Sequence, residues 1–374
     1  MTINPPDPRP DQAQGPARRT LLAAGLLCAA SAVGGASGWW AGRAAGRPSP
    51  SVPAGGSAVP TSPGAGWRTV AAGQDIAAAV RAGAAQILLG PGEYPVRDPI
   101  ALPRGGLLRG TGQATRLVAT RPMTGMVLIG AGEGTDGISV ESLVLDCDQQ
   151  AQSGVIVHVD GNSGNYQGEP DPVIRLDNLW VYDSTGDGMR YHGPDTRSCH
   201  TSRVRVRRAG GHGMAIEASD SWWVGCEATT LRSDSRSAGF HIAGTNNFFS
   251  DCKAWYCRDY GWHVRGTRNK FTGCESQDTR SHGWFIEYDK NAFVACVADT
   301  AGMYDVGGTP RTADGFHVLP EGNTSLVGCQ AFDRQPGRHA AQQRYGFHVR
   351  PALLKSGLLV APTGWGNLDG LVGP

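Results

Sequence analysis

The feature that most constrains this 374-residue chain is a phrase it repeats. One half reads Asn-x-Phe-x-x-Cys-x-Ala and the other Gly-aromatic-His-Val. Clear copies run from Asn247 to Val264, Asn269 to Ile286, Asn291 to Val318 and Asn323 to Val349, and Gly239-Phe240-His241-Ile242 closes an earlier one. A unit this short cannot bury its own apolar face, so copies must stack to share a core. Phe271, Cys274 and Ser276 recur as Phe249, Cys252 and Ala254 and as Phe293, Cys296 and Ala298, while the residue after the Cys varies. In Gly261-Trp262-His263-Val264, Trp262 and Val264 share one face and His263 takes the other. That alternation is the period of a strand. No apolar stretch at helical spacing is long enough for a crossover helix. Each unit is therefore at least two short strands separated by turns, and the class is all-β: a single-stranded parallel β-helix, or solenoid. Weaker copies close on Gly213, Gly188 and Gly154.

Fifty-four glycines would suit a disordered chain if they were unpatterned, but here they fall at a repeated coil position, where a tight turn is expected. The first 47 residues carry five Arg and two Asp, which leaves a body of 29 basic and 31 acidic residues. A near-neutral body excludes a nucleic-acid partner, whose phosphates need a basic face. Arg18-Arg19-Thr20-Leu21-Leu22 and the mildly apolar run to Trp40 read as an export device, a twin-arginine-like signal or membrane anchor over residues 1–41. If uncleaved it is the one membrane attachment expected. A Pro/Gly/Ser/Ala-rich linker over 42–66 follows, and 67–374 form the β-helix domain of an exported, extracellular or envelope protein. Of nine cysteines, Cys226, Cys252, Cys274, Cys296 and Cys329 share one inward position, which makes them a column of small buried hydrophobes. Zinc wants ligands from several directions and a column supplies one. Cys147 and Cys257 lie off that column.

At the start of the body, Gln74-Asp75-Ile76-Ala77-Ala78-Ala79-Val80, Ile87-Leu88-Leu89-Gly90-Pro91-Gly92-Glu93-Tyr94, Ile100-Ala101-Leu102-Pro103 and Leu107-Leu108-Arg109-Gly110-Thr111-Gly112 resemble the opening of the pectate lyase-like right-handed β-helix superfamily. The resemblance implies a right-handed helix over roughly residues 67 to 365, closed by a short amphipathic helix, and a polysaccharide as ligand. The cap also has a physical reason, because an open end would expose strand edges and apolar core. Activity is left open, since the superfamily includes lyases, glycoside hydrolases, uronate epimerases and tailspike-like proteins.

If the aromatic and Val of each Gly-aromatic-x-Val point inward, the residues two and four after the Gly point outward. These columns read Arg190 and His192, Ala215 and Glu217, His241 and Ala243, His263 and Arg265, Phe285 and Glu287, His317 and Leu319, His348 and Arg350. Five of the ten histidines stand there. Such a floor suits an extended anionic chain: Arg forks onto carboxylates, His and Glu move protons, and Phe285 can stack on a sugar. His263, Arg265 and Glu287, mid-helix on neighbouring coils, are the acid–base candidates, and Arg190, His192, Glu217, His241, Phe285, His317, His348 and Arg350 the substrate-binding ones. Copying of a parent unit would also produce such a column without function. No metal ligand set is assigned and no cofactor is expected, a divalent cation being left open; His241 and His263 with Glu217 are the alternative. Insertions at Asn162 to Pro172, Gly302 to Ala313 and Arg334 to Arg344 are expected to wall the groove. Gly211-His212-Gly213 matches a polygalacturonase triplet, but Asp187 alone stands one coil earlier where a pair is expected, so the match is read as chance. Two classes of function follow: an enzyme acting on a uronate-containing polysaccharide, or a non-catalytic glycan-binding or structural envelope β-helix.

Overall fold

The computed structural model describes residues 66–130, 137–160, 173–230, 237–320, 323–335 and 339–374. The expected signal or anchor segment, residues 42–65 of the expected linker and the insertion at Asn162 to Pro172 lie outside them. Among the described residues no helix is long and apolar enough to cross a membrane.

The repeats fold as superimposed rungs of a parallel β-helix, with three strands per coil. In one coil these are Phe248–Ser250, Lys253–Trp255 and Trp262–Val264. Each pairs in parallel with its counterpart on the next coil: Phe249 with Phe271, Ala254 with Ser276, His263 with Phe285. The first two strands begin as one. Ile174–Tyr182 pairs through its first half with Cys199–Ser202 and through its second with Arg205–Arg207. The split is made by a single residue in left-handed conformation, Asn178 at φ 54, followed on later coils by Arg203, Gly225, Asp251, Gly273, Ala295 and Gly328 at φ 51 to 62. This corner explains why Phe and Cys of the repeat, three apart, both face inward. One residue of the alternation is spent turning the chain.

The Gly before each aromatic has a different reason. A Cβ on Gly261 would lie 2.0 Å from Ser276 Oγ and 2.8 Å from the Gly283 carbonyl. Close approach of neighbouring chain, not a positive φ, excludes larger residues there, contrary to the tight-turn expectation.

Two aromatic columns run through the core. Phe249, Phe271 and Phe293 stack at 4.9 and 4.6 Å, and Phe240, Trp262, Trp284, Phe316 and Phe347 at 4.0 to 5.6 Å. All are buried. The columns meet edge to face, Trp262 on Phe271 at 5.8 Å. The five column cysteines are buried free thiols, as are Cys147, Cys199 and Cys257. Burial pushes the Cys199 and Cys257 thiols up to about 12. The asparagines form a ladder of their own. Asn247 N donates to Asn269 Oδ1 and Asn269 N to Asn291 Oδ1, both at 2.9 Å, while each Nδ2 donates to a carbonyl of the coil before. Asn323 does not join it. It takes the left-handed place ahead of the ladder, held elsewhere by Asn246, Arg268 and Lys290, and Thr324 occupies the ladder position.

The expected cap is the helix Ile76–Arg81, with Asp75 accepting from Ala78 N and Ile76, Ala77 and Ala79 buried. Tyr94 O–H donates to the carbonyls of Val70 and Gly90, tying the first coil to the strand before the cap.

Candidate functional site

The last strand of each coil builds an 11-stranded parallel sheet. Its outward column is in register as the repeat demands: Arg190 beside Ala215, then His241, His263, Phe285, His317 and His348. His192 faces His158 on the coil before, with Nδ1 atoms 3.0 Å apart. Arg190 and Glu217 lie close enough to act on the His192 charge, whose pKa burial holds below the ordinary value. Arg350 ends the row by N-capping the helix Pro351–Lys355, where the chain leaves the sheet.

The structure adds a third row, interrupted by buried Ala238 before Gly239 and made by the residue just before six of the repeat glycines: Asp187, His212, Tyr260, His282, Asp314 and Tyr345. Strict alternation points these inward. The bend at the closely packed glycine instead turns them toward the groove, which is why period-two reading misses them. His212 stacks on His241 at 4.3 Å, Tyr260 on Phe285 at 4.8 Å, and His282 on His317 at 4.3 Å. His212, read from sequence as a chance triplet, thus stands in the row.

Two hydrogen-bonded centres result. In the first, His263 Nε2 is 2.8 Å from Glu287 Oε1 and Arg265 Nε donates to Glu287 Oε2 at 3.1 Å, so the three acid–base candidates do meet. A carboxylate only accepts, so His263 Nε2 carries the proton. Its Nδ1 then accepts from His241 Nδ1 at 3.2 Å. Both ring nitrogens of His263 are engaged, and the lone pair of this chain emerges at His241 Nε2. Burial holds the His241 pKa down to about 3, which leaves it neutral but weakly basic.

The second centre is built on Asp314, whose side chain is fully buried. Its Oδ1 accepts from Arg344 Nε at 2.9 Å and from Tyr345 N at 3.2 Å. Its Oδ2 accepts from Arg344 Nη2 at 2.7 Å and from His317 Nδ1 at 2.8 Å. Burial alone would raise the Asp314 pKa, but bonds from His317 and Arg344 hold it well below the usual carboxylate range. The network fixes the tautomers. His282 Nδ1 accepts from Asp314 N at 3.0 Å and His348 Nδ1 accepts from Arg344 Nη2 at 3.1 Å, so neither carries a proton there. His317 Nδ1 must donate, and its Nε2 is left with the lone pair. Ligand atoms of His282, Asp314 and His317 lie within 4.8 Å of one another. With both Asp314 oxygens taken by Arg344 and His317, the set suits an ion pair better than a metal.

Of the expected walls, Arg334 binds Asp299 and Asp278, Tyr304 stacks on His339 at 4.0 Å, and Arg344 reaches into the Asp314 centre.

No family model matches the sequence, and no curated protein does. Among solved structures, the A-module of Azotobacter vinelandii mannuronan C-5 epimerase AlgE4 is similar at TM-score 0.51 and 16% identity over 80% of this chain and 91% of that one. The catalytic domain of a GH87 α-1,3-glucanase is similar at TM-score 0.51 and 15% identity over 85% and 70%. Full-length tailspike protein 2 of an Escherichia coli O157:H7 bacteriophage is similar at TM-score 0.50 and 12% identity over 69% and 35%. At these identities the likeness is one of fold, the parallel β-helix that the opening of the body resembles.

Proposed function

We propose that this protein acts on a uronate-containing polysaccharide and that its chemistry is proton abstraction beside the carboxylate, as a lyase or epimerase, rather than hydrolysis. The observation that carries the reading is the buried, ionised Asp314 orienting His317 through Nδ1. A carboxylate so placed holds the imidazole in one tautomer and stabilises the imidazolium that forms when Nε2 takes a proton. Hydrolysis asks instead for a carboxylic acid with a raised pKa facing a second carboxylate. On the histidine sheet Asp314 is depressed and Glu287 is bound by His263 and Arg265, while Asp278, raised by burial beside Asp299, lies on the other sheet with Arg334 bridging the two.

In this mechanism Arg265, half exposed beyond its Glu287 bond, pairs with the substrate carboxylate and stabilises the charge that develops when the adjacent carbon loses its proton. His317 Nε2 receives that proton. Loss of the glycosidic oxygen, which leaves as a hydroxyl by taking a proton from water, then gives an unsaturated uronate, while delivery of a proton from water to the opposite face gives the epimer. The named activities of the epimerase and glucanase neighbours support a polysaccharide substrate. The Arg18-Arg19 segment supports export, which fractionation of an R18K/R19K variant checks.

The deciding experiment offers a polysaccharide panel to the protein and follows unsaturated-uronate absorbance, reducing ends and deuterium uptake from heavy water. Absorbance or deuterium uptake that disappears in His317→Ala is expected. Reducing ends without either signal would point to hydrolysis, and binding without any turnover would establish the glycan-binding alternative.

A further inference from the structure

We infer that the same groove carries, at the end away from Asp314, a subsite for uncharged sugars, so that its polymer is a heteropolysaccharide in which uronates are separated by neutral residues. This rests on the function proposed above and specifies its substrate class.

Two adjoining clefts of about 460 and 390 Å³ share Gln149 and Thr185, and both lie in the size range of ligand sites. Thr124 and Gln152, on strands Met123–Ile129 and Ala151–His158, bring the second cleft onto the histidine-bearing sheet. With Gln150 and Ser184 the polar part of the lining is amide and hydroxyl, Pro122 and Met123 add apolar surface, and no lining residue of either cleft ionises. The contrast with the imidazole, guanidinium and carboxylate rows of the later coils is complete. Each Gln offers both a donor and an acceptor, the pairing that sugar hydroxyls match. The side-chain amides of Gln149, Gln150 and Gln152 have no hydrogen-bond partner among the described residues. A uronate placed here would meet no cation in the lining.

The strand of Gln152 is six pairings from that of His317, roughly 29 Å at about 4.8 Å per step. One extended oligosaccharide can therefore occupy the neutral clefts and the Asp314 centre together.

The test measures calorimetric binding of deacylated gellan fragments, in which neutral sugars separate the uronates, and of polymannuronate and polygalacturonate fragments of equal length. Both the unaltered protein and a Gln152→Ala/Thr185→Ala variant are used. The variant should bind gellan fragments roughly tenfold more weakly, the loss of one or two hydrogen bonds, and homopolyuronates unchanged. Thr185→Arg should shift preference toward the homopolymers. Equal binding of all three polymers, untouched by either variant, would overturn the inference while leaving the proposed function in place. Binding of none of them would remove both.

Discussion

Asp314 is a carboxylate removed from water and kept charged by Arg344 and His317, so its replacement should separate charge from shape. Asp314→Asn keeps the volume but can no longer hold the His317 tautomer. Turnover should fall by about two to four orders of magnitude with little change in substrate affinity, as steady-state kinetics would show. Protonation gives a second outcome. Burial holds His241 and His282 down to about 3, whereas an unfolded His titrates near 6.5. Between those values the unfolded chain binds protons that the fold does not, so stability is lost as pH falls from about 6.5 toward about 3. Asp314, depressed in the fold, adds its own loss once pH drops below about 4. Melting temperature should decline across this range, and His282→Gln should flatten the upper part. The outward histidine row was legible because alternation places His263 opposite Trp262 and Val264. Asp314, His282 and Tyr260 were not, since alternation turns them inward and only the packing of Gly315, Gly283 and Gly261 turns them out. Arg344 lies in an insertion whose path no repeat specifies.

The central coils are held by ladders that contribute rung by rung. Asn269 accepts from Asn247 N and donates to the Gly244 carbonyl in a fully buried site. Asn269→Ala leaves both groups unpaired, and urea denaturation should show a loss of about 2 to 5 kcal/mol. Phe271→Ala, which opens a hole between Phe249, Phe293, Trp262 and Trp284, should cost about 3 to 5 kcal/mol. The Phe and Cys columns could be read from spacing alone. The third strand could not, because its corner is a left-handed residue that the sequence fills with Asp251 or Ala295 as readily as with Gly273. Asn323 misleads for a related reason: the same residue type suits the left-handed place one step before the ladder.

For the whole molecule the exposed ends matter most, since a stacked core has neighbours on one side only at its last coil. The helix Ile76–Arg81 covers the first. Ile76→Asp should uncover apolar surface and strand edges there. Light scattering should then report association of the variant at concentrations where the parent stays dispersed, with far-ultraviolet circular dichroism nearly unchanged. The resemblance of residues 74–112 to known β-helix openings made this cap readable. The far end, with helix Pro351–Lys355 and strand Gly370–Gly373, carries no such signature.

The asparagine ladder returns every 22 residues over two successive coils. Excising residues 269–290 would splice Arg268 to Asn291, join like to like, and leave every rung with a compatible neighbour. Such a molecule would be a shorter ruler, its marks one rise closer together between the neutral clefts and Asp314. The separation of clefts and centre is thus set by an integer number of turns, and this particular excision would also carry away Glu287 and His282, the partners of His263 and His317.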